Sequence, residues 1–146
     1  MEERVAMNTI EVGSIFKMTL RPEEGVKPKH SQDTDRTKYF VVIGISSDRI
    51  VVGSVLINSH INPKLFNIIG PYQHLISWED YTFLTKPESF IDCYNIKEIK
   101  TSRILEEAEY IGSVNGEDML HVISLAISSP ANKKAVLLKY HLINNM

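Results

Sequence analysis

The stretch that decides the fold is residues 39–62, YFVVIGISSDRIVVGSVLINSHIN. It contains two apolar runs, 39–45 and 50–57, rich in β-branched and aromatic residues and separated by the polar tetrapeptide SSDR. This pattern predicts two antiparallel strands joined by a tight turn. Neither run alternates cleanly between apolar and polar residues, so we expect both faces of each strand to be covered by the rest of the molecule.

The second run ends abruptly in three polar residues, Asn58, Ser59 and His60. Polar side chains at the end of a rigid core strand are a common way to build a binding or catalytic site. We therefore expect the functional site near these residues.

Composition is typical of a single globular domain. The chain has 146 residues, of which 43% are hydrophobic and 23% charged. These values predict one domain over 1–146 with a core that needs no metal or disulfide. The single cysteine, Cys93, excludes a disulfide framework and fits a reducing compartment. A net charge of −2 counts against non-specific coating of nucleic acid but leaves room for a local basic groove.

The N-terminal residues lack the long apolar segment of a signal peptide. No apolar run is long enough to cross a bilayer. We therefore expect a cytoplasmic protein with no membrane partner.

Outside the hairpin, the sequence predicts further short strands. They are expected at 10–20, 74–84 and 89–99, with a short strand or irregular crossing at 63–71. Residues 1–9 are polar and predict a flexible N-terminus. Residues 21–38 carry two prolines and almost no large apolar side chain, which predicts a long loop.

Helices are expected late in the chain. Thr101 and Ser102 should cap a short helix, and Asn115 should cap the amphipathic helix 116–128. The tail, 131–146, should add an edge strand or pack on the outside. This order predicts an α+β, mainly β domain, in which a C-terminal α-helix packs against a small, strongly curved sheet or barrel.

Other side chains favour structural roles. The five histidines show no metal-ligand spacing, so no metal site is expected, and His121 should lie on the exposed side of its helix. Cys93 lies in a predicted strand and is more typical of a buried apolar group than of a nucleophile. The aromatic residues of 72–83 would stack RNA bases or, more commonly, form core or dimer interface.

Several short motifs, in this order, resemble the MazF/PemK-like toxin family. They are GSIF at 13–16, a long polar loop, a basic residue before YFVVI at 39–43, SFIDCYNIKEIKTSRI at 89–104 and YIGSVNGEDMLHVISLAI at 110–127. The resemblance covers about 11–127. It implies an SH3-like small barrel with a C-terminal α-helix, usually a homodimer. It also implies cleavage of single-stranded RNA without a cofactor, and neutralisation by an antitoxin protein.

The family's catalytic pair is an arginine just before the second strand and a threonine or serine at the end of the third. Here Lys38 directly precedes the strand, Arg36 is the nearest arginine, and Asn58-Ser59 ends the third strand. Metal-free RNA cleavage needs proton transfer groups and cations that stabilise the charged phosphorane. The candidate catalytic residues are therefore Arg36, Ser59, Lys38 and His30. The candidate RNA-binding residues are Lys27, Lys29, Asn58 and His60.

Each candidate also has a plainer interpretation. Arg36 and Lys38 would be solvated loop charges, and Ser59 would be a strand-end cap. Two other functions stay open, a catalytically inactive barrel that binds RNA or a protein partner, and a structural adaptor dimer. If the chain takes RNA, the 21–38 loop should be mobile when empty and ordered by the ligand.

Overall fold

The computed structural model describes residues 9–24 and 36–144. Six strands form one antiparallel sheet in the order β4-β5-β3-β2-β1-β6, curled into a half-barrel. The strands are β1 (Ser14–Leu20), β2 (Arg36–Ile45), β3 (Val51–Asn58), β4 (Gln73–Ser77), β5 (Glu88–Lys100) and β6 (Glu109–Ser113). The helices are α1 (Phe66–Ile69), α2 (Thr101–Glu107), α3 (Gly116–Ser128) and α4 (Lys134–Lys139), with 3₁₀ turns at Pro22–Glu24 and Gly70–Tyr72. The predicted α+β, mainly β class is confirmed.

The predicted central hairpin is confirmed as β2 and β3. Tyr39 pairs with Ile57, and both strands have a further neighbour on their outer side. At the turn, the Ser46 amide donates to the Val51 carbonyl at 3.0 Å. β2 begins at Arg36 rather than Tyr39, because its pairing with β1 continues to the last residue of that strand. The end of the predicted 21–38 loop is therefore strand.

Both faces of the sheet are covered, as the two-sided apolar pattern predicts. On one side, which we call the α3 face, Val41 and Val55 pack in the cluster that includes the buried side of α3. On the opposite side, the α2 face, Phe40 and Leu56 share a core cluster with Ile104 of α2. Phe40 and Val41 are neighbours, and strand alternation sends them to opposite faces.

The C-terminal tail packs on the outside of the sheet and forms α4, which decides between the two placements that the sequence left open. Tyr140 is 2% exposed and lies over Gly44 and Gly53, which pair across the hairpin. A Cβ at Gly44 would come within 2.5 Å of the Tyr140 Cβ and carbonyl oxygen, and one at Gly53 within 2.8 Å of the tyrosine ring. The glycines are therefore needed for this close approach.

A buried amide fixes β5 against the end of α3. The pairing of β5 with β3 shifts register between Ser54 and Leu56. Beside this irregularity, Asn132 accepts from the Ile96 amide at 2.8 Å and donates to the carbonyls of Cys93 at 3.2 Å and Ala126 at 2.8 Å. Asn132 thus satisfies backbone groups that the irregular ladder leaves unpaired.

Residues 63–71 do not form the predicted short strand. They form α1 and part of the 3₁₀ turn, and the amides of Ile68 and Ile69 both donate to the Leu65 carbonyl at 2.9 Å. A short apolar run fits one helical turn as well as a strand. Local hydrogen bonds satisfy the backbone here, so no partner strand is needed.

The strand predicted over 74–84 ends at Ser77. Beyond it the backbone turns, with the Tyr81 amide donating to the Ser77 carbonyl at 3.0 Å. Of the large side chains that suggested a longer strand, Tyr81 is buried in the core by this turn and Phe83 packs against it. Trp78 is exposed. β6, in contrast, lies in a segment for which the sequence analysis predicted no strand.

The two predicted helix caps have different outcomes. Asn115 caps α3 as predicted, since its side-chain oxygen accepts from the Asp118 amide at 2.8 Å. α2 begins at Thr101, but Lys100 occupies its N-cap position and forms no side-chain cap. The Thr101 hydroxyl is buried, without a hydrogen-bond partner in the described part of the chain. Among the described residues, no helix is long and apolar enough to span a bilayer.

Candidate functional site

The start of β2 and the end of β3 lie side by side on the α2 face. The Lys38 ammonium donates a hydrogen bond to the Asn58 side-chain oxygen. Arg36 shares the face of Lys38, because alternate residues of a strand point to the same side. Two candidates from separate parts of the sequence are therefore in contact. We call Arg36, Lys38, Asn58 and Asp92 the open-end cluster, since it lies at the end of the hairpin away from the turn.

The electrostatics of this cluster are set by Lys38. Burial and then the positive charge of Arg36 lower the pKa of Lys38 from 10.5 to about 8, while Asp92 opposes the shift. A lysine with a pKa near 8 is mostly protonated at neutral pH and can still exchange its proton there. The cluster thus combines a fixed cation, Arg36, with a group able to transfer a proton.

Asp92 is a member of the cluster that the sequence analysis missed. It pairs with Leu56 in the sheet, and its carboxylate accepts from Gln73 Nε2 at 2.7 Å and from the Tyr94 amide at 3.1 Å. The available signal was a carboxylate inside the apolar strand around it. Its proximity to Lys38 depends on the strand order, which the sequence does not state.

Ser59 and His60 follow Asn58 directly and are exposed. They lie at the same end of the hairpin as the cluster, where a ligand can reach them. Neither side chain hydrogen-bonds to another residue in 9–24 or 36–144. Both therefore remain candidates for ligand contact.

Three of the candidates, Lys27, Lys29 and His30, lie outside the described residues, as do residues 25–35 of the predicted loop. The structure describes the two flanks of this segment, the 3₁₀ turn that ends at Glu24 and the strand that begins at Arg36. The predicted flexible N-terminus also lies outside the described residues, apart from Thr9.

Arg103, a cation from the motif at 89–104, has a structural role. Its guanidinium donates to Glu24 Oε2 at 3.0 Å and to the Thr19 carbonyl at 3.0 Å, and it also pairs with Glu107. These bonds hold α2 against β1 and the first 3₁₀ turn. Because its N–H groups already donate to acceptors within the protein, Arg103 is not a candidate for ligand binding.

A second polar group lies on the α3 face and connects β4 to α3. Asp118 accepts hydrogen bonds from His74 Nε2 at 2.8 Å and from the Tyr81 hydroxyl, which itself accepts from the Asn115 amide at 3.2 Å. Burial opposes ionisation of Asp118, but the bonds from Tyr81 and His74 outweigh it and lower the pKa of the carboxyl. His121 is exposed, as predicted, and stacks on His74 with ring centroids 5.3 Å apart. This network holds the start of α3 on the sheet.

Cys93 is buried, as predicted. Burial and then the neighbouring charge of Asp92 raise the pKa of its thiol to about 12. The thiolate is the nucleophilic form, so Cys93 is not a nucleophile at neutral pH. Within 9–24 and 36–144, no group of three or more His, Cys, Asp and Glu side chains has a metal-binding arrangement.

Comparison with protein-family models and with curated proteins finds no match to this chain. The class that the structure defines is a mainly β α+β domain with a cationic cluster at the open end of its central hairpin.

Proposed function

We propose that this chain is a metal-independent endoribonuclease toxin of the MazF/PemK-like type, built on an SH3-like barrel, that cleaves single-stranded RNA at the open-end cluster. One observation carries the proposal. The two strand ends to which the resemblance assigns catalysis lie next to each other, and their side chains Lys38 and Asn58 are in contact. The order of the elements also agrees with the resemblance, since one convincing amphipathic helix, α3, follows the strands.

The proposed roles follow from the chemistry of each group. Arg36 binds two phosphate oxygens through its planar guanidinium and stabilises the phosphorane. His30 accepts the proton of the 2′-hydroxyl as its oxygen attacks phosphorus, the bond to the 5′-oxygen breaks, and Lys38 donates a proton to that leaving oxygen. Asn58 and Ser59 hydrogen-bond to the phosphate. Lys27, Lys29 and His60 complete the proposed RNA contacts.

The test is incubation of the purified protein with mixed-sequence single-stranded RNA in excess EDTA. We expect cleavage to survive chelation and to fall by about 10²- to 10³-fold in Arg36→Ala, the usual effect of removing a transition-state donor. Arg49→Asn is the matched control. It removes an exposed arginine at the turn, and asparagine suits the positive φ of 61° at that position. Intact RNA with the wild-type protein would contradict the proposal.

A second candidate function is a catalytically inactive barrel that binds RNA or a protein. It is favoured by one feature, that a lysine rather than an arginine contacts the end of β3. Lysine cannot reproduce the bidentate geometry of a guanidinium. This alternative predicts RNA retention in a filter-binding assay without cleavage, and loss of retention in Lys38→Ala. An adaptor dimer predicts neither retention nor cleavage.

The proposal includes a cytoplasmic homodimer that an antitoxin protein neutralises. Sedimentation measures the oligomeric state directly. Expression should arrest growth, and Arg36→Ala should relieve the arrest.

A further inference from the structure

β4 is an edge strand of the sheet. It pairs with β5 on one side and stands at the end of the strand order. An edge strand presents a row of backbone amides and carbonyls that can pair with another chain. Recognition of an extended peptide by such an edge derives affinity from these backbone bonds and specificity from nearby side chains.

A cleft of about 520 Å³ runs over this edge. Its walls include Leu75 and Ile76 of β4, and Asp118 of α3. Ile76 belongs to the core on the α3 face, so Leu75 points to the opposite side of the sheet. The lining continues into Trp78, Glu79 and Asp80, which follow β4, so the cleft lies beside the C-terminal end of this edge strand.

The cleft is lined by both large apolar and acidic side chains. Leu75 is 51% exposed and Trp78 is 45% exposed, which is unusual for such large apolar side chains beside a core strand. Glu79, Asp80 and Glu88 are exposed along the same cleft, and none of the lining residues is a lysine or arginine. Acidic groups above an aromatic ring attract cationic side chains and repel RNA.

We propose that the β4 edge binds an extended, lysine- or arginine-rich segment of a partner protein as an added antiparallel or parallel strand. Backbone groups of β4 pair with the segment, Leu75 and Trp78 contact its apolar side chains, and the three exposed carboxylates pair with its cations. Leu75 and Asn58 both pair with Phe90, so this surface adjoins the open-end cluster across one strand, but peptide binding does not require RNA cleavage.

Trp78 is the only tryptophan of the chain, so its fluorescence reports on this cleft directly. The probe is a capped heptapeptide that alternates lysine and valine. We expect a saturable change in Trp78 emission on titration, about fivefold weaker binding in Glu79→Gln/Glu88→Gln, and a decrease in affinity as salt is raised. The control Glu106→Gln/Glu109→Gln removes two exposed carboxylates elsewhere and should bind as the wild type does.

Two further peptides separate strand addition from simple charge attraction. The same peptide with alternate amides N-methylated should not bind, because it cannot complete the backbone bonds. A peptide with glutamate in place of each lysine should not bind either. Equal binding of either peptide would overturn the proposal, as would an unchanged emission with the lysine peptide.

Other ligands of the β4 edge would give distinct results in this fluorescence assay. Emission that depends on protein concentration without peptide would place a second copy of the chain on the edge, and emission that responds to single-stranded RNA alone would place RNA there. Either result overturns the proposal. Arg36→Ala should bind the peptide normally, so failure of the nuclease proposal leaves this one standing.

Discussion

The two ends of the β2–β3 hairpin differ in how their side chains affect stability. At the turn end, Tyr140 packs on Gly44 and Gly53 so closely that a single added carbon would collide with it. At the open end, Lys38 is half-buried next to Arg36, and its pKa falls to about 8. The first arrangement stabilises the fold through packing. The second holds like charges together at a cost in stability, which is typical of a site selected for binding or catalysis.

The largest effect is expected from Tyr140→Ala. Removing this buried ring should lower the free energy of unfolding by about 4 kcal/mol, since it deletes buried contacts and leaves a cavity. Urea denaturation followed by circular dichroism measures the change. Leu120→Ala is the control, because Leu120 is 74% exposed and its truncation should have almost no effect. Equal losses in the two variants would show that Tyr140 does not stabilise the turn end.

Gly53→Ala tests the close approach itself. The added Cβ would meet the Tyr140 ring at 2.8 Å and should destabilise the wild type by about 2 kcal/mol. In a Tyr140→Ala background the ring is gone, so the same substitution should cost almost nothing. Additive effects in this double-mutant cycle would contradict the packing explanation. Gly116→Ala, which places its Cβ in open space, is the control.

Lys38→Met, unlike these substitutions, should increase the free energy of unfolding. At neutral pH it removes a charge that folding partly buries and places beside Arg36, and it should stabilise the chain on the order of 1 kcal/mol after allowance for solvent screening. The same change should abolish RNA cleavage or retention. A variant that is both less stable and fully active would break the distinction between the two ends.

The pH dependence of this stabilisation has a defined direction. Lys38 has a folded pKa of about 8 and an ordinary value of 10.5. Between these values the unfolded chain holds a proton that the folded chain has released, so the contribution of Lys38 to stability rises with pH. The advantage of Lys38→Met should therefore shrink across this window and disappear above it. Urea midpoints of the two proteins at pH 7 and pH 10.5 measure this.

The smallest effect is expected from Glu98→Gln. Glu98 pairs with Lys139 at 2.9 Å near the turn end, with both side chains about 40% exposed. Exposed ion pairs contribute little, so the loss should be under about 0.5 kcal/mol. A loss as large as that of Gly53→Ala would mean that charge pairing, rather than packing, holds the tail on the hairpin.

The sequence predicts best where the pattern is long and local. The two-sided apolar runs of the hairpin and the Asn115 cap of α3 are examples, since neighbouring residues alone determine them. Prediction fails at 63–71, because a short apolar run is compatible with either a helix or a strand. It also fails at β6, which is a strand because it pairs with the edge of β1.

The candidate site also combines a feature that neighbouring residues determine with one that depends on strand pairing. The polar end of β3 can be recognised from Asn58 onward, because polarity changes abruptly there. Asp92 cannot be assigned to the site from sequence, because its proximity to Lys38 requires β5 to pair with β3 in one register. Asn132, far along the chain, helps to fix that register.

The packing of Tyr140 on the hairpin also sets an order of events during synthesis. Ile57 leaves the ribosome well before Tyr140, and at typical elongation rates the interval is on the order of ten seconds. Throughout that time the paired glycines of the hairpin have no ring above them. Until Tyr140 emerges, the nascent hairpin therefore lacks this packing and is open to chaperones and proteases.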